Sequence, residues 1–278
     1  SVASAELDYP IKLKYSDGET YTFPDGSLYF GDIKNDLPNG LGIHINFDFE
    51  YHGEWKDGLK HGQGSYDDKN YENVYYDGEW LNGKKNGQGK FVYGVDGSFY
   101  DGEWLNDKKN GQGTMTLADG TVIKSEWKNS DANGNGSINY ADGAKYIGEL
   151  KDNEKHGTGT FIYTDGSKYN GEFKNDTFNG YGTFADSSGF KYVGEMKNGL
   201  RHGQGTFINN DGTKYVGEFK NSKMDGPGTF VLLDGSNHTG EYKNGSFISS
   251  NGDLQNSGTS VSEWLSIAQQ GLGMMNGA

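Results

Sequence analysis

The sequence contains no cysteine. That excludes disulfide bonds, thiolate zinc sites and a thiol nucleophile. It has no apolar run near the roughly 18 residues a membrane-spanning helix needs. Aliphatic residues are sparse, so no large compact core of Leu, Ile and Val is expected. Positive charge is in deficit: 25 Lys and Arg stand against 39 Asp and Glu, a net charge of −14. This balance disfavours nucleic acid, whose binding rests on phosphate neutralisation, and simple electrostatic docking on anionic lipid. The first ten residues, SVASAELDYP, lack the basic stretch and apolar core of a signal peptide, so a cytoplasmic protein is expected. The Asn-x-Ser/Thr sequons at Asn135, Asn175, Asn237 and Asn244 read as chance in an Asn-rich chain.

What the sequence has in abundance is glycine, 46 of 278 residues, with 19 Tyr, 15 Phe and 5 Trp. Glycine, aromatics and many Asn-Gly and Asp-Gly pairs point to short strands joined by tight turns. One stretch, SDANGNGSINYAD, spells most of a calcium loop, with Asp131, Asn133, Asn135 and Gly136 in ligand and turn positions and Asp142 where the bidentate acid would sit. An internal repeat explains it otherwise. Gly-Glu, with Gly31-Asp32 and Ser125-Glu126 standing in two of its places, recurs at intervals of 22 to 25 residues, and a Gly-x-Gly pair tracks it through nine units, with a tenth incomplete. Gly134 and Gly136 are one of those pairs, and Asp142 opens the next Asp-Gly turn. The flanks TVIKSEWK and AKYIGELK alternate as strands, not helices. A decayed repeat is therefore expected here, and no metal site.

Each unit reads as a β-hairpin. In AKYIGELK, Tyr146, Gly148 and Leu150 share a face; in TGTFIY, Gly157, Gly159 and Phe161 do. Glycine weakens a strand unless something lies close against it, so rings are expected to cross these backbones. Nine hairpins give about 18 strands, extended by half-units at Asp17–Phe23 and Ser236–Phe247. The expected architecture is an all-β, elongated, single-layer twisted antiparallel sheet of ~23-residue hairpins. Residues 1–24 would be an N-terminal segment with a half-repeat cap, 25–247 the array, 248–260 a Gly/Ser/Asn linker and 261–278 a helix and tail. In that last segment Ser260 and Glu263 form a capping box, and Val261, Trp264, Leu265 and Ala268 share a helical face. The helix either folds back on its own sheet or docks a partner or membrane through Trp264 and Leu265; disorder of the segment is the remaining reading.

The pattern Y-x-G-E-[WF]-K-N-G-x-x-x-G-x-G-T-F, as in YHGEWKDGLKHGQGSY and YVGEMKNGLRHGQGTF, resembles the MORN (membrane occupation and recognition nexus) repeat. The fifth unit departs from it, with Ile123 for Tyr and Ser125 for Gly. The resemblance implies an elongated sheet of hairpins. It also implies two contexts: structural parts of cilia, such as radial spoke heads, and of protist cytoskeletons; or membrane contacts and modules that precede lipid kinases and SET-domain methyltransferases.

No catalytic constellation emerges. The Glu ladder (Glu54, Glu79, Glu103 and onward) repeats every two strands, about 10 Å, but a repeat gives each Glu the same environment, whereas an acid–base pair needs two. His61, His156 and His202 occupy one repeat position in non-adjacent units and read as turn residues. Charge placement is more informative. One long edge carries Asp-Gly turns; the other carries Lys60, Lys84, Lys85, Lys108, Lys109, Lys155 and Arg201, read as solvated turns, as a ridge for an acidic partner, or as a contact for anionic lipid. An aromatic face of Trp55, Trp80, Trp104, Tyr146, Tyr169, Phe173, Tyr192, Tyr215 and Phe219 is expected to form a groove for protein partners. The reading is a non-enzymatic scaffold without cofactor, part of a larger ciliary or cytoskeletal assembly and able to dimerise; a phospholipid-binding tether is the alternative.

Overall fold

The computed structural model describes residues 19–248. The residues before 19, the linker from 249 onward, and the expected helix with Trp264 and Leu265 lie outside the described residues. The chain divides into two compact units, Ser1–Asn110 and Gly111–Ala278. Among the described residues every element is a β-strand, and each paired strand is antiparallel to a chain neighbour. In the first unit these are β1 (Glu19–Thr22), β2 (Leu28–Lys34), β3 (Leu37–Ile45), β4 (Phe49–Lys56), β5 (Leu59–Asp68), β6 (Val74–Leu81), β7 (Lys84–Tyr93) and β8 (Phe99–Leu105). The boundary falls within β9 (Lys108–Thr116). The second unit continues with β10 (Val122–Lys128), β11 (Asp131–Asn139), β12 (Lys145–Lys151), β13 (Glu154–Ile162), β14 (Lys168–Lys174), β15 (Thr177–Ala185), β16 (Lys191–Lys197), β17 (Leu200–Ile208), β18 (Lys214–Lys220), β19 (Lys223–Val231), β20 (Asn237–Lys243) and β21 (Ser246–Ile248). The nine hairpins run from β2 to β19. Beyond them, β1 pairs with β2 and β20 pairs with β21. The calcium-loop spelling is strand β11, whose Gly134 to Asn139 pair with β12.

Two kinds of turn alternate. Within a hairpin the two turn residues both have positive φ, as in Asp152 (51°) and Asn153 (70°), the type I′ geometry whose twist matches paired strands. Between hairpins an Asp carboxylate accepts the amide N–H two residues on: Asp165 from Ser167 at 2.8 Å, Asp211 from Thr213 at 2.8 Å. These local bonds explain why Asp-Gly punctuates the chain.

The core is a row of tyrosines lying on glycines. Tyr29, Tyr51, Tyr76, Tyr146, Tyr169 and Tyr192 are 0% exposed. Each ring covers the glycine two residues ahead and the glycine opposite: a Cβ at Gly159 would fall 2.5 Å from the Tyr146 ring, and one at Gly148 would fall 2.6 Å from its hydroxyl. Edge-to-face contacts join the row laterally, as between Tyr51 and both Trp55 and Trp80, each at 5.3 Å, an arrangement favoured by ring quadrupoles.

Candidate functional site

Eight hairpins show a register shift, a bulge, at the Gly-Glu of the repeat or its counterparts Gly31-Asp32 and Ser125-Glu126. In β12–β13, Gly148 pairs with Gly159 and Leu150 with Lys155, so Glu149 faces His156, Gly157 and Thr158. Gly157 takes φ 55° to make the detour, which a bulge of this kind requires of glycine. The ladder Glu has a defined task there. Its carboxylate accepts the bulge N–H nine residues on: Glu54 from Gln63 (2.9 Å), Glu79 from Gln88 (2.9 Å), Glu172 from Tyr181 (2.8 Å) and Glu195 from Gln204 (2.9 Å). The Tyr hydroxyl donates to the same Glu's backbone carbonyl, as Tyr51 to Glu54 at 3.0 Å and Tyr76 to Glu79 at 3.0 Å.

The expected aromatic groove takes a different form. Trp55, Trp80, Trp104, Tyr146, Tyr169, Phe173, Tyr192, Tyr215 and Phe219 are all between 0 and 7% exposed. Their rings are covered by one another and by backbone, so little of this row is left for another molecule. Trp80 and Trp104 also spend their indole N–H on the carbonyls of Gly64 (3.0 Å) and Gly89 (2.9 Å).

The basic edge divides in two. Lys60, Lys85, Lys109, Lys155 and Arg201 share one repeat position and fold over the aromatic row. The Lys60 ammonium lies 4.6–5.0 Å from the rings of Phe49, Tyr51, Tyr66 and Trp80; burial pulls its pKa down to about 8. Lys85 sits over Tyr76, Phe91 and Trp104, Lys109 over Tyr100, and Lys155 over Tyr140 and Phe161 with Asp176 at 3.4 Å. Arg201 is 3% exposed, lies 5.0 Å from the Phe207 ring and donates to the Ser222 carbonyl at 3.0 Å. These cations therefore form no ridge in water, because ring faces attract them. Lys84 and Lys108 are exposed, as expected.

The departing fifth unit is coherent. Where Ile123 replaces Tyr, Ala132 stands at the cation position, and Ser125 donates to the Asn133 carbonyl at 2.7 Å. Tyr146 approaches the matching His156 carbonyl in the next unit, at 3.4 Å. This unit lacks both ring and cation, whereas Pro38, Phe178 and Met224 hold the cation position in units that keep their tyrosine.

One surface feature went unread in the sequence. Along the hairpin-turn edge of the first unit, Leu37, Leu59, Leu81 and Leu105 are 38, 46, 45 and 48% exposed. Three pair directly with an exposed lysine: Leu37 with Lys34, Leu59 with Lys56 and Leu81 with Lys84; Leu105 and Lys108 flank one turn. Two of them lean toward the next turn: a Cβ on Gly58 would sit 3.4 Å from Leu37 Cδ2, and one on Gly83 would sit 3.9 Å from Leu59 Cδ2. The signal was four leucines beside I′ turns in a leucine-poor chain. Among the described residues no group of three His, Cys, Asp or Glu could hold a metal ion, and no helix is long and apolar enough to cross a membrane.

Comparison with known proteins agrees with this repeat. None of the curated proteins matches the chain. Among solved structures, the TCP10 domain of Danio rerio CPAP is similar at 10% identity, TM-score 0.40, over 72% of this chain and 94% of that one. Its E1021V mutant is similar at 14% identity, TM-score 0.36, over 81% and 100%. Likeness at that level carries no argument about function. The MORN repeat profile, in contrast, matches nine segments, 29–45, 51–72, 76–97, 100–122, 124–145, 146–168, 169–190, 192–214 and 215–237, and the chain belongs to the MORN-repeat family.

Proposed function

We propose that this protein is a non-enzymatic scaffold that holds protein partners, and that its first unit does so through the Leu–Lys turn edge. The observation that carries this reading is the set of four leucines left 38–48% exposed, each beside a lysine. They lie on β3, β5, β6 and β8, so successive leucines are two, one and two strands apart, about 10, 5 and 10 Å. A partner segment with apolar side chains at those spacings and acidic residues beside them would bury the leucines and pair the lysines. Fully burying a leucine is worth about 1.5–3 kcal/mol, so four half-exposed ones can anchor a specific contact. The ladder Glu residues support a non-enzymatic reading, since each holds a bulge N–H in the same surroundings. The resemblance to MORN proteins of cilia and cytoskeletons is what favours a subunit of such an assembly.

The same Leu–Lys pairs favour a second reading, a phospholipid-binding tether, because apolar and basic groups together also suit an anionic membrane surface. Net charge opposes it. The test uses the full chain and a Leu59→Ser/Leu81→Ser/Leu105→Ser variant. Proteins retained by the wild type from extracts of its source cells should be lost with the variant, while vesicles containing phosphoinositide should not co-sediment with either. Vesicle binding that persists at raised salt would make the tether the better reading; capture unchanged by the variant would refute the edge.

A further inference from the structure

The second unit has a different open surface: the sheet face opposite its tyrosine row. In β16 this face carries Lys191, Val193, Glu195 and Lys197 in order. β12, β14 and β18 repeat the arrangement, with Lys, an uncharged residue, Glu and Lys at the same places. The strands between them place a threonine in the uncharged band. Beyond the first Lys band lie the Asp-Gly turns. In the other bands those intervening strands are uncharged, with Ile162, Ala185 and Ile208 beside the first Lys residues and Thr158, Tyr181 and Gln204 beside the Glu residues, so on every second strand the face shows bands in the order acidic turn, basic, uncharged (mostly β-branched), acidic, basic. Ile147 and Val216 are 57% and 41% exposed in the central band. The acidic band is fixed in place, because its carboxylates hold the bulge N–H groups.

We propose that this face of the second unit is a homodimer interface, on which a second copy packs face to face about a two-fold axis running across the strands along the β-branched band. Such an axis reverses the band order. The first Lys band of one copy meets the Glu band of the other, the outer Lys band meets the Asp turns, and the central band meets itself. All four charged bands are matched, and the contact is isologous and closed. The same rotation sets each strand antiparallel to its own copy across the interface, so two sheets of one twist stay in register along the axis. Nine strands, β12 to β20, at about 4.8 Å each and about 24 Å long, offer about 1,000 Å² per copy. That reaches the upper part of the standard range for a stable interface, about 1,200–2,000 Å² in total.

The tests use the full chain, which has no cysteine of its own. Sedimentation equilibrium at tens of micromolar protein and physiological salt is expected to give a dimer. Reversing one band with Lys145→Glu/Lys168→Glu/Lys191→Glu/Lys214→Glu sets acid against acid, and the dimer should weaken about 100-fold or more. The same charge change at Lys34, Lys56, Lys84 and Lys108, on the edge assigned to partners, should leave it intact, which separates this interface from the proposed partner edge. A residue on the axis faces its own copy, so Thr183→Cys should cross-link to itself with a short bis-maleimide and Leu233→Cys, in a turn, should not. The cross-link decides even if the four-Glu variant fails to fold. A monomeric wild type, or a dimer in which position 183 does not cross-link, overturns the proposal.

Discussion

The hydroxyl of Tyr192 donates to the backbone carbonyl of Glu195 at 2.7 Å, at the point where the β16–β17 ladder skips from Gly194 to Met196. One side chain thus covers two glycines and satisfies a carbonyl at the bulge. Tyr192→Phe keeps the ring and strands that acceptor, so a loss of about 1–3 kcal/mol is expected. Urea unfolding of the two proteins measures it; equal midpoints would show that water replaces the hydroxyl.

Gly171→Val should be far more damaging than Glu172→Gln. A Cβ at Gly171 would stand 2.5 Å from Gly182 Cα and 2.7 Å from the Tyr169 hydroxyl. Neither can move without breaking the row, so a cost of 3 kcal/mol or more is expected, on the order of severe core overpacking. Gln keeps an acceptor for the Tyr181 N–H and should cost about 1 kcal/mol or less. Thermal melts of the two variants rank them, and equal effects would contradict the assignment of glycine to the ring-covered face.

Alkaline pH should unfold the protein steeply. Burial pushes the Tyr51, Tyr76, Tyr146 and Tyr169 hydroxyls well above their ordinary value of 10.0. The unfolded chain then gives up these protons first, so the stability they contribute is complete below pH 10 and lost as pH rises beyond it. Tyrosinate absorbance and circular dichroism followed together should change in one step. Phenolate appearing well before the sheet signal is lost would contradict the buried row.

Acid should act through His44. It occupies the ring position that holds Phe91, Phe161, Phe184 and Phe207 in other repeats, with Ser27 Oγ 2.6 Å from Nε2. Burial lowers its pKa from 6.5 to about 4. Its contribution is therefore present above about pH 6.5 and is lost as pH falls toward 4. The drop in melting temperature between pH 7 and pH 4.5 should be smaller in His44→Phe than in the wild type. An equal drop would assign acid sensitivity to the turn carboxylates instead.

The hairpins and the rings on glycine were legible because period-two alternation and the 23-residue repeat fix which residues share a face. The fate of the cations was not. Lys84 and Lys85 look alike in sequence, yet alternation sends Lys84 to water and Lys85 under Tyr76 and Trp104. The aromatic row was read as a groove because nothing in one repeat reveals how completely its neighbours cover each ring. The exposed leucines went unread because turn residues were weighed for their charge alone.

The partner edge is tested most directly by photo-cross-linking from Leu81. A photoreactive phenylalanine analogue placed there, and at Leu59 and Leu105, disturbs no buried contact. Irradiated in extracts of the source cells, these positions should form cross-links to a common protein partner other than a second copy of this chain, while the same analogue at exposed Leu233 in the second unit should not capture that partner. Cross-links from Leu233 alone, to lipid alone, or from none of the three edge positions would contradict the account.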